Sequence, residues 1–313
     1  MKFIHALICS ILCTATILNA QNYSEIDIEI NQYIGGTLVV PNSAKKPPLV
    51  ILIAGSGPTD RDGNQSFMKN NMLKKLAEGL SKKGMATFRY DKRIVKQLRT
   101  GNFDKNTRFD DFVTDAKSVL LYFKSSYPSI YIAGHSQGSL VGMLASESGV
   151  DGFISLSGAA NPIDQIILEQ ISKTAPVFIA DTKRVLDLLK MGETTSDFPI
   201  ALSSIFNLDT QPFMINWMQY NPKKIIKNLD IPVLIINGTK GLQVSKSEAQ
   251  LLKDSKKDAE LVIIENMNHI LFEIYGDDLV NSKSYNETNH PIMPEVLDVI
   301  LNFIRKEKST ITK

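Results

Sequence analysis

The chain has 313 residues, 43% of them hydrophobic, and 35 basic side chains stand against 33 acidic ones for a net charge of +2. This composition suits a soluble protein able to bury a sizeable core, either as one domain with an insertion or as two domains. The near balance of charge gives no electrostatic ground for a nucleic-acid or strongly acidic partner.

The first twenty residues stand apart. Lys2, the apolar run Ile4 to Leu18 and then Asn19-Ala20 read as a secretory signal peptide cleaved after Ala20. The run is shorter than the roughly 20 apolar residues a spanning helix needs. The mature chain is therefore expected in the periplasm or outside the cell, with no stable membrane anchor. Both cysteines, Cys9 and Cys13, lie in this leader. The mature protein would thus have no disulfide, no thiolate nucleophile and no cysteine-bound metal. Loss of the leader removes Lys2 and no acid, leaving 34 basic residues against 33 acidic.

Glu25 to Ile30 alternates polar and apolar residues, and Gly35 to Val40 is a second β-like run ended by Pro41; together they predict an antiparallel hairpin. Unbroken apolar runs follow at Leu49 to Ala54, Met85 to Tyr90, Ile130 to Ala133, Phe153 to Leu156, Val233 to Ile236 and Leu261 to Ile264. Such runs suit parallel strands covered on both faces. Helix-period segments separate them at Met72 to Lys82, Phe109 to Lys124, Leu140 to Glu147 and Lys246 to Leu252, and Val296 to Ile304 closes the pattern. Alternation of this kind predicts an α/β fold, with a mostly parallel central sheet of about eight strands and helices on both faces. Residues 159–228, which contain the only tryptophan, Trp217, exceed what one crossover needs. They read as a helical cap inserted into a core formed by residues 21–158 and 229–313, against the plainer alternative of a long crossover that touches no substrate. The tail Arg305 to Lys313 is expected to be solvated and frayed.

The chemistry centres on Gly134-His135-Ser136-Gln137-Gly138, a GxSxG sequence between a strand-like and a helix-like run. There the glycines permit a turn sharp enough to expose Ser136, and the following helix aims its N-terminal N–H groups at developing negative charge. A serine hydroxyl needs a base, most often histidine. Of the four histidines, His5 lies in the leader, His135 beside the nucleophile and His290 before Pro291. His269, immediately after the last predicted strand, remains as the base.

With Ser136 early and His269 late, the chain resembles an α/β-hydrolase over nearly all its mature length. It is most similar to secreted bacterial serine hydrolases of the esterase, lysophospholipase and serine-aminopeptidase type. The resemblance also rests on Ala54-Gly55-Ser56-Gly57-Pro58-Thr59-Asp60-Arg61-Asp62-Gly63-Asn64, on Arg89-Tyr90-Asp91-Lys92-Arg93 and on Met267-Asn268-His269. It implies an oxyanion hole made by the backbone N–H groups of Gln137 and of Ser56, or of Gly57. The charged clusters offer Arg61 and Arg93 as substrate-binding candidates, against the plainer reading that they pair with neighbouring acids to fix loops.

The resemblance also implies an aspartate at position 241, where this chain has Gly241. Asp164 and Glu265 are candidate substitutes; a slow Ser-His dyad is the second explanation, and a fold that only binds its ligand is the third. A further departure is Ile94-Val95-Lys96-Gln97, where relatives carry a glycine-containing turn. A loop of different conformation is expected there. The expected activity is hydrolysis of carboxylic esters, or of short amides, through an acyl-enzyme on Ser136. The partner is a small-molecule ester or amide, and no metal or organic cofactor is implied. A peptidase would differ only in pocket shape, and the sequence leaves the oligomeric state open.

Overall fold

A computed structural model describes residues 22–311; the leader assigned to residues 1–20 lies outside them. The strands are β1 (Tyr23–Glu29), β2 (Gly35–Pro41), β3 (Leu49–Ile53), β4 (Ala86–Tyr90), β5 (Ile130–His135), β6 (Gly152–Leu156), β7 (Val233–Lys240) and β8 (Glu260–Asn268). They form one eight-stranded sheet in the order β1-β2-β4-β3-β5-β6-β7-β8. β1, β2 and β4 pair antiparallel; every other neighbour is parallel.

All residues of β3 to β6 are buried, because alternate side chains of each strand enter opposite cores. Leu49, Ile51 and Ile53 pack beneath the helices Phe109–Phe123 and Gln137–Ser146. Val50 and Leu52 pack beneath Met72–Lys82 and Pro294–Ile311. Two covered faces explain why these strands read as unbroken apolar runs rather than as alternating ones.

The order of strands positions the site. From β3 the chain moves to β4 on one side, then returns to pair β5 on the other. At this reversal the carboxyl ends of β3 and β5 lie side by side, with Ile53 opposite Gly134. In open parallel sheets such a switch point is where ligands settle.

Between β6 and β7 the chain builds the helices Ile163–Thr174, Ile179–Lys190, Ser203–Phe206, Gln211–Trp217 and Pro222–Lys227. Ile167, Ile171, Val185, Leu186, Leu189 and Phe206 give this segment its own apolar cluster. It is fastened to Phe109–Phe123 by Trp217 stacked on Phe109 (ring centroids 5.5 Å apart, planes 4° apart) and by Asn216 and Tyr220 bonding Asp110.

Two local expectations are corrected. Ile94 to Gln97 is no loop but part of the helix Arg93–Thr100, whose Val95 is buried and whose end is closed by Gly101 at φ 70°. The tail is not frayed from Arg305, because the last helix continues to Ile311. Its apolar side, Val296, Ile300, Phe303 and Ile304, is buried against the sheet and carries the helix past its last core contact.

Candidate active site

β5 ends in a kinked junction. Ser136 takes φ 54° and ψ −120°, and the helix Gln137–Ser146 starts at the next residue. A non-glycine residue in this region is strained, and such strain survives only where surrounding structure enforces it. Here the enforcement is steric. A Cβ at Gly134 would lie 2.1 Å from the Gly138 carbonyl oxygen, and one at Gly138 would lie 2.4 Å from that of Ile53. The first substituent would force β5 and the start of the helix apart, and the second would push the elbow off the end of β3. The Ser136 N–H donates to the Leu156 carbonyl at 2.9 Å, fixing the turn from the β6 side. Ser136 remains partly exposed while its neighbours His135 and Gln137 are buried.

The turn after β3 presses on this elbow: a Cβ at Gly55 would lie 3.2 Å from that of Ser136. Its shape is held by its own side chains. Thr59 Oγ1 and Gln65 Nε2 each donate to the Ser56 carbonyl at 2.9 Å, and Gly57 takes φ 81°. Gln137, as the first helical residue, has an N–H without an intrahelical acceptor. Gly55, Ser56, Ser136, Gln137 and His269 line one cavity of about 570 Å³ at the switch point.

His269 follows directly on β8 and is held by the residue before it. Fully buried Asn268 accepts the N–H groups of Ile270 and Phe272 on its Oδ1, and its Nδ2 donates to Asn281 and Ser284. This side chain shapes the loop so tightly that Leu271 takes φ 65°. His135 Nε2 donates to the His269 carbonyl at 2.8 Å, so elbow and histidine loop are bonded to each other. Burial, and then the nearby His135, hold the His269 imidazole well below its ordinary 6.5. It is neutral at working pH and free to accept a proton, but its protonated form lacks support. His269 Nδ1 is buried and finds no hydrogen-bond partner among the described residues.

Neither substitute acid reaches that nitrogen. Asp164 is buried in the segment between β6 and β7, where it pairs with Lys190. Glu265 is exposed on β8. At Gly241 the chain has closed over the missing side chain, so that a Cβ there would lie 2.5 Å from the Val244 carbonyl oxygen.

The two candidate arginines are likewise engaged, and neither lines the cavity. Arg61 forms a two-pronged pair with Asp91 at 3.1 and 2.8 Å and reaches Asp27. Arg93 grips Asp115 at 2.8 and 2.7 Å and meets Asp111. Each guanidinium is committed to acids on neighbouring segments and lies off the cavity wall, which favours the loop-fixing reading over the substrate-binding one. Lys92 and Asn268 are the residues that sequence reasoning passed over, although both stand in motifs it singled out.

His135 gives the protein a predictable sensitivity to acid. Burial pushes its imidazole down to about 4 from an ordinary 6.5. Between these values the unfolded chain binds a proton that the folded chain does not, so stability falls as pH drops through this window. The loss from this residue alone is about 3 kcal/mol by pH 4. Urea unfolding from pH 7 to 4 should show His135→Gln losing that much less stability than the wild type; parallel curves would refute the assignment.

No protein-family model matches the chain. It is 25% identical over 299 residues to esterase EstD of Thermotoga maritima, covering 92% of this chain and 69% of EstD. Est1E from Butyrivibrio proteoclasticus superposes with a TM-score of 0.58 at 19% identity, covering 91% of this chain and 99% of that one. Esterase Pf2001 of Pyrococcus furiosus superposes with a TM-score of 0.53 at 17% identity, covering 91% of this chain and 90% of that one. The sheet order, the glycine-flanked elbow after β5 and these likenesses identify the chain as a protein of the α/β-hydrolase fold, similar to esterases.

Proposed function

We propose that the protein hydrolyses uncharged carboxylic esters with a bulky apolar acyl group, using Ser136 as nucleophile and His269 as base. The observation that carries this reading is the strained, partly exposed Ser136 on the wall of a largely apolar cavity that His269 also lines. EstD and Pf2001 are esterases by name, which supports the ester and disfavours a protein that only binds.

In the first half of the reaction Ser136 Oγ bonds to the ester carbonyl carbon while His269 takes the hydroxyl proton. The N–H groups of Gln137 and Ser56, or Gly57, hold the oxyanion. The carbon–oxygen bond to the alcohol then breaks, and His269 returns its proton to the leaving oxygen. Water repeats the sequence on the acyl-enzyme: His269 takes its proton, the carboxylic acid departs and Ser136 Oγ regains a hydrogen. With no carboxylate on His269 Nδ1 the imidazolium is poorly stabilised, so this cycle is slow for its class.

Met72, Ile163, Ile167, Phe213, Trp217 and Ile270 give the cavity its apolar wall, with the helices of 159–228 acting as a cap. The cavity's acids, Asp104 and Asp209, lie on segments away from the elbow, and Asp209 is already paired with Lys105. Near the elbow the wall offers the amine of Lys92 and no carboxylate, so nothing there would pair with the ammonium of an aminoacyl amide. The leader-like residues 1–20 support action in the periplasm or outside the cell.

A series of p-nitrophenyl esters from acetate to dodecanoate, run beside leucine p-nitroanilide, tests the reading. About 0.8 kcal/mol for each methylene buried should raise kcat/KM at least tenfold from acetate to octanoate, with the anilide barely cleaved. Faster cleavage of the anilide would overturn it.

A further inference from the structure

Lys92 is buried where a lysine is costly. Its Nζ lies 4.3 Å from the centre of the Phe112 ring, and burial pulls its ammonium down to about 7 from 10.5. It has no ion pair among the described residues. Asp115, which borders the small void at this point together with Tyr90 and Val141, is held from its other side by Arg93. An unpaired amine in such surroundings is unfavourable compared with a methionine or leucine of similar size. What it does there is donate two hydrogen bonds, to the Gly55 carbonyl at 2.9 Å and to Gln137 Oε1 at 2.7 Å.

Both acceptors bear on the oxyanion donors. The Gly55 carbonyl and the Ser56 N–H belong to one planar trans peptide and point in opposite directions. Holding that oxygen from the side of Lys92 therefore fixes the direction in which the Ser56 N–H points. Gln137 Oε1 belongs to the residue whose own backbone N–H is the second donor. One amine thus ties the turn after β3 to the start of the helix after β5, the two segments between which an oxyanion would sit. A donor at the Gly55 carbonyl also polarises that peptide and strengthens its N–H as a donor.

We propose that Lys92 is the positioning residue of the oxyanion hole, holding the Ser56 and Gln137 N–H groups in register across the switch point. The proposal rests on the reading of the site given above. It assigns Lys92 no contact with the reacting atoms; the side chain acts through the two backbone segments it joins. A neutral amine keeps two N–H donors, so the arrangement serves both protonation states.

Lys92→Met keeps the volume and removes both bonds. It should lower kcat for p-nitrophenyl octanoate about 30- to 300-fold, somewhat less than the outright loss of a donor, with KM changed less than threefold. Inhibition by an octyl trifluoromethyl ketone, whose serine adduct carries the oxyanion, should weaken by the same factor. The melting temperature should stay level or rise, because a buried amine has gone. If Lys92→Met fails to fold, Gln137→Met, which keeps the backbone donor and deletes one acceptor, must show the same paired loss in kcat and ketone affinity. A folded variant with kcat within threefold of wild type, or with kcat lost and ketone affinity unchanged, overturns the proposal. Turnover that survives Ser136→Ala would instead overturn the reading of the site. Turnover abolished by Ser136→Ala yet intact in Lys92→Met would sink the role of Lys92 alone.

Discussion

Gly138→Ala is expected to cut ester turnover at least about 100-fold and to lower stability by about 3 kcal/mol. The added methyl would sit 2.4 Å from the Ile53 carbonyl oxygen and 2.6 Å from that of Ala54, both backbone atoms at the end of β3. No side-chain rotation relieves such a contact. The helix start or the strand end must move by close to an ångström, and the strand end carries the Gly55 turn that faces Ser136. Turnover and stability should therefore fall together, as measured by p-nitrophenyl octanoate hydrolysis and urea unfolding. Gly101→Asn is the control: it lies at φ 70° with nothing within 4 Å of its Cβ position, and asparagine tolerates this backbone region. If Gly138→Ala kept wild-type activity, the close packing of elbow against β3 would not be what holds Ser136 in place.

The second large effect concerns His269 and the acid it lacks. His269→Ala should lower kcat about 100- to 1,000-fold, within the usual range for a general base but below the loss expected from a fully supported triad. Gly241→Asp should act in the opposite direction. Its Cβ would meet the Val244 carbonyl oxygen at 2.5 Å, so the short loop must open, and the melting temperature should fall. In exchange, a carboxylate near His269 would stabilise the imidazolium, and kcat should rise at least about tenfold, part of the roughly 10⁴ that a triad acid contributes elsewhere. The pH dependence supplies a check of sign. His269 is now held well below 6.5, and a nearby negative charge favours its protonated form. The acid limb of kcat/KM should therefore move to higher pH in Gly241→Asp. A folded Gly241→Asp with neither change would show that position 241 does not face the imidazole.

How much of this was readable beforehand follows from how local each signal is. The inner strands β3 to β6 announced themselves as unbroken apolar runs because each lies between two cores, whereas β8, at the sheet edge, leaves Ile263 exposed. Ser136 and the Gly55 turn were marked by glycines whose necessity is steric and short-range. His269 followed from its place after the last strand. The arginines were ambiguous because their partners are distant in sequence: Arg61 meets Asp91 and Asp27, and Arg93 meets Asp115. The helix Arg93–Thr100 was hidden because only part of its surface is apolar: its buried residues are Arg93, Val95 and Gln97, and Arg93 is held by Asp115 from a later helix. Lys92 gave no signal at all, since a lysine within Asp91-Lys92-Arg93 reads as a solvated charge until its burial is known. Asn268 was likewise visible only as a neighbour of His269, and its role depends on Asn281 and Ser284 arriving from the following helix.

The account depends on one hydroxyl being a nucleophile. Treating the folded protein with a fluorophosphonate, then measuring intact mass and mapping the labelled peptide, tests this most directly. One adduct on the peptide that contains Ser136, absent from Ser136→Ala, is the predicted result. A folded wild type that takes up no label, or a Ser136→Ala variant labelled to the same extent, would contradict it.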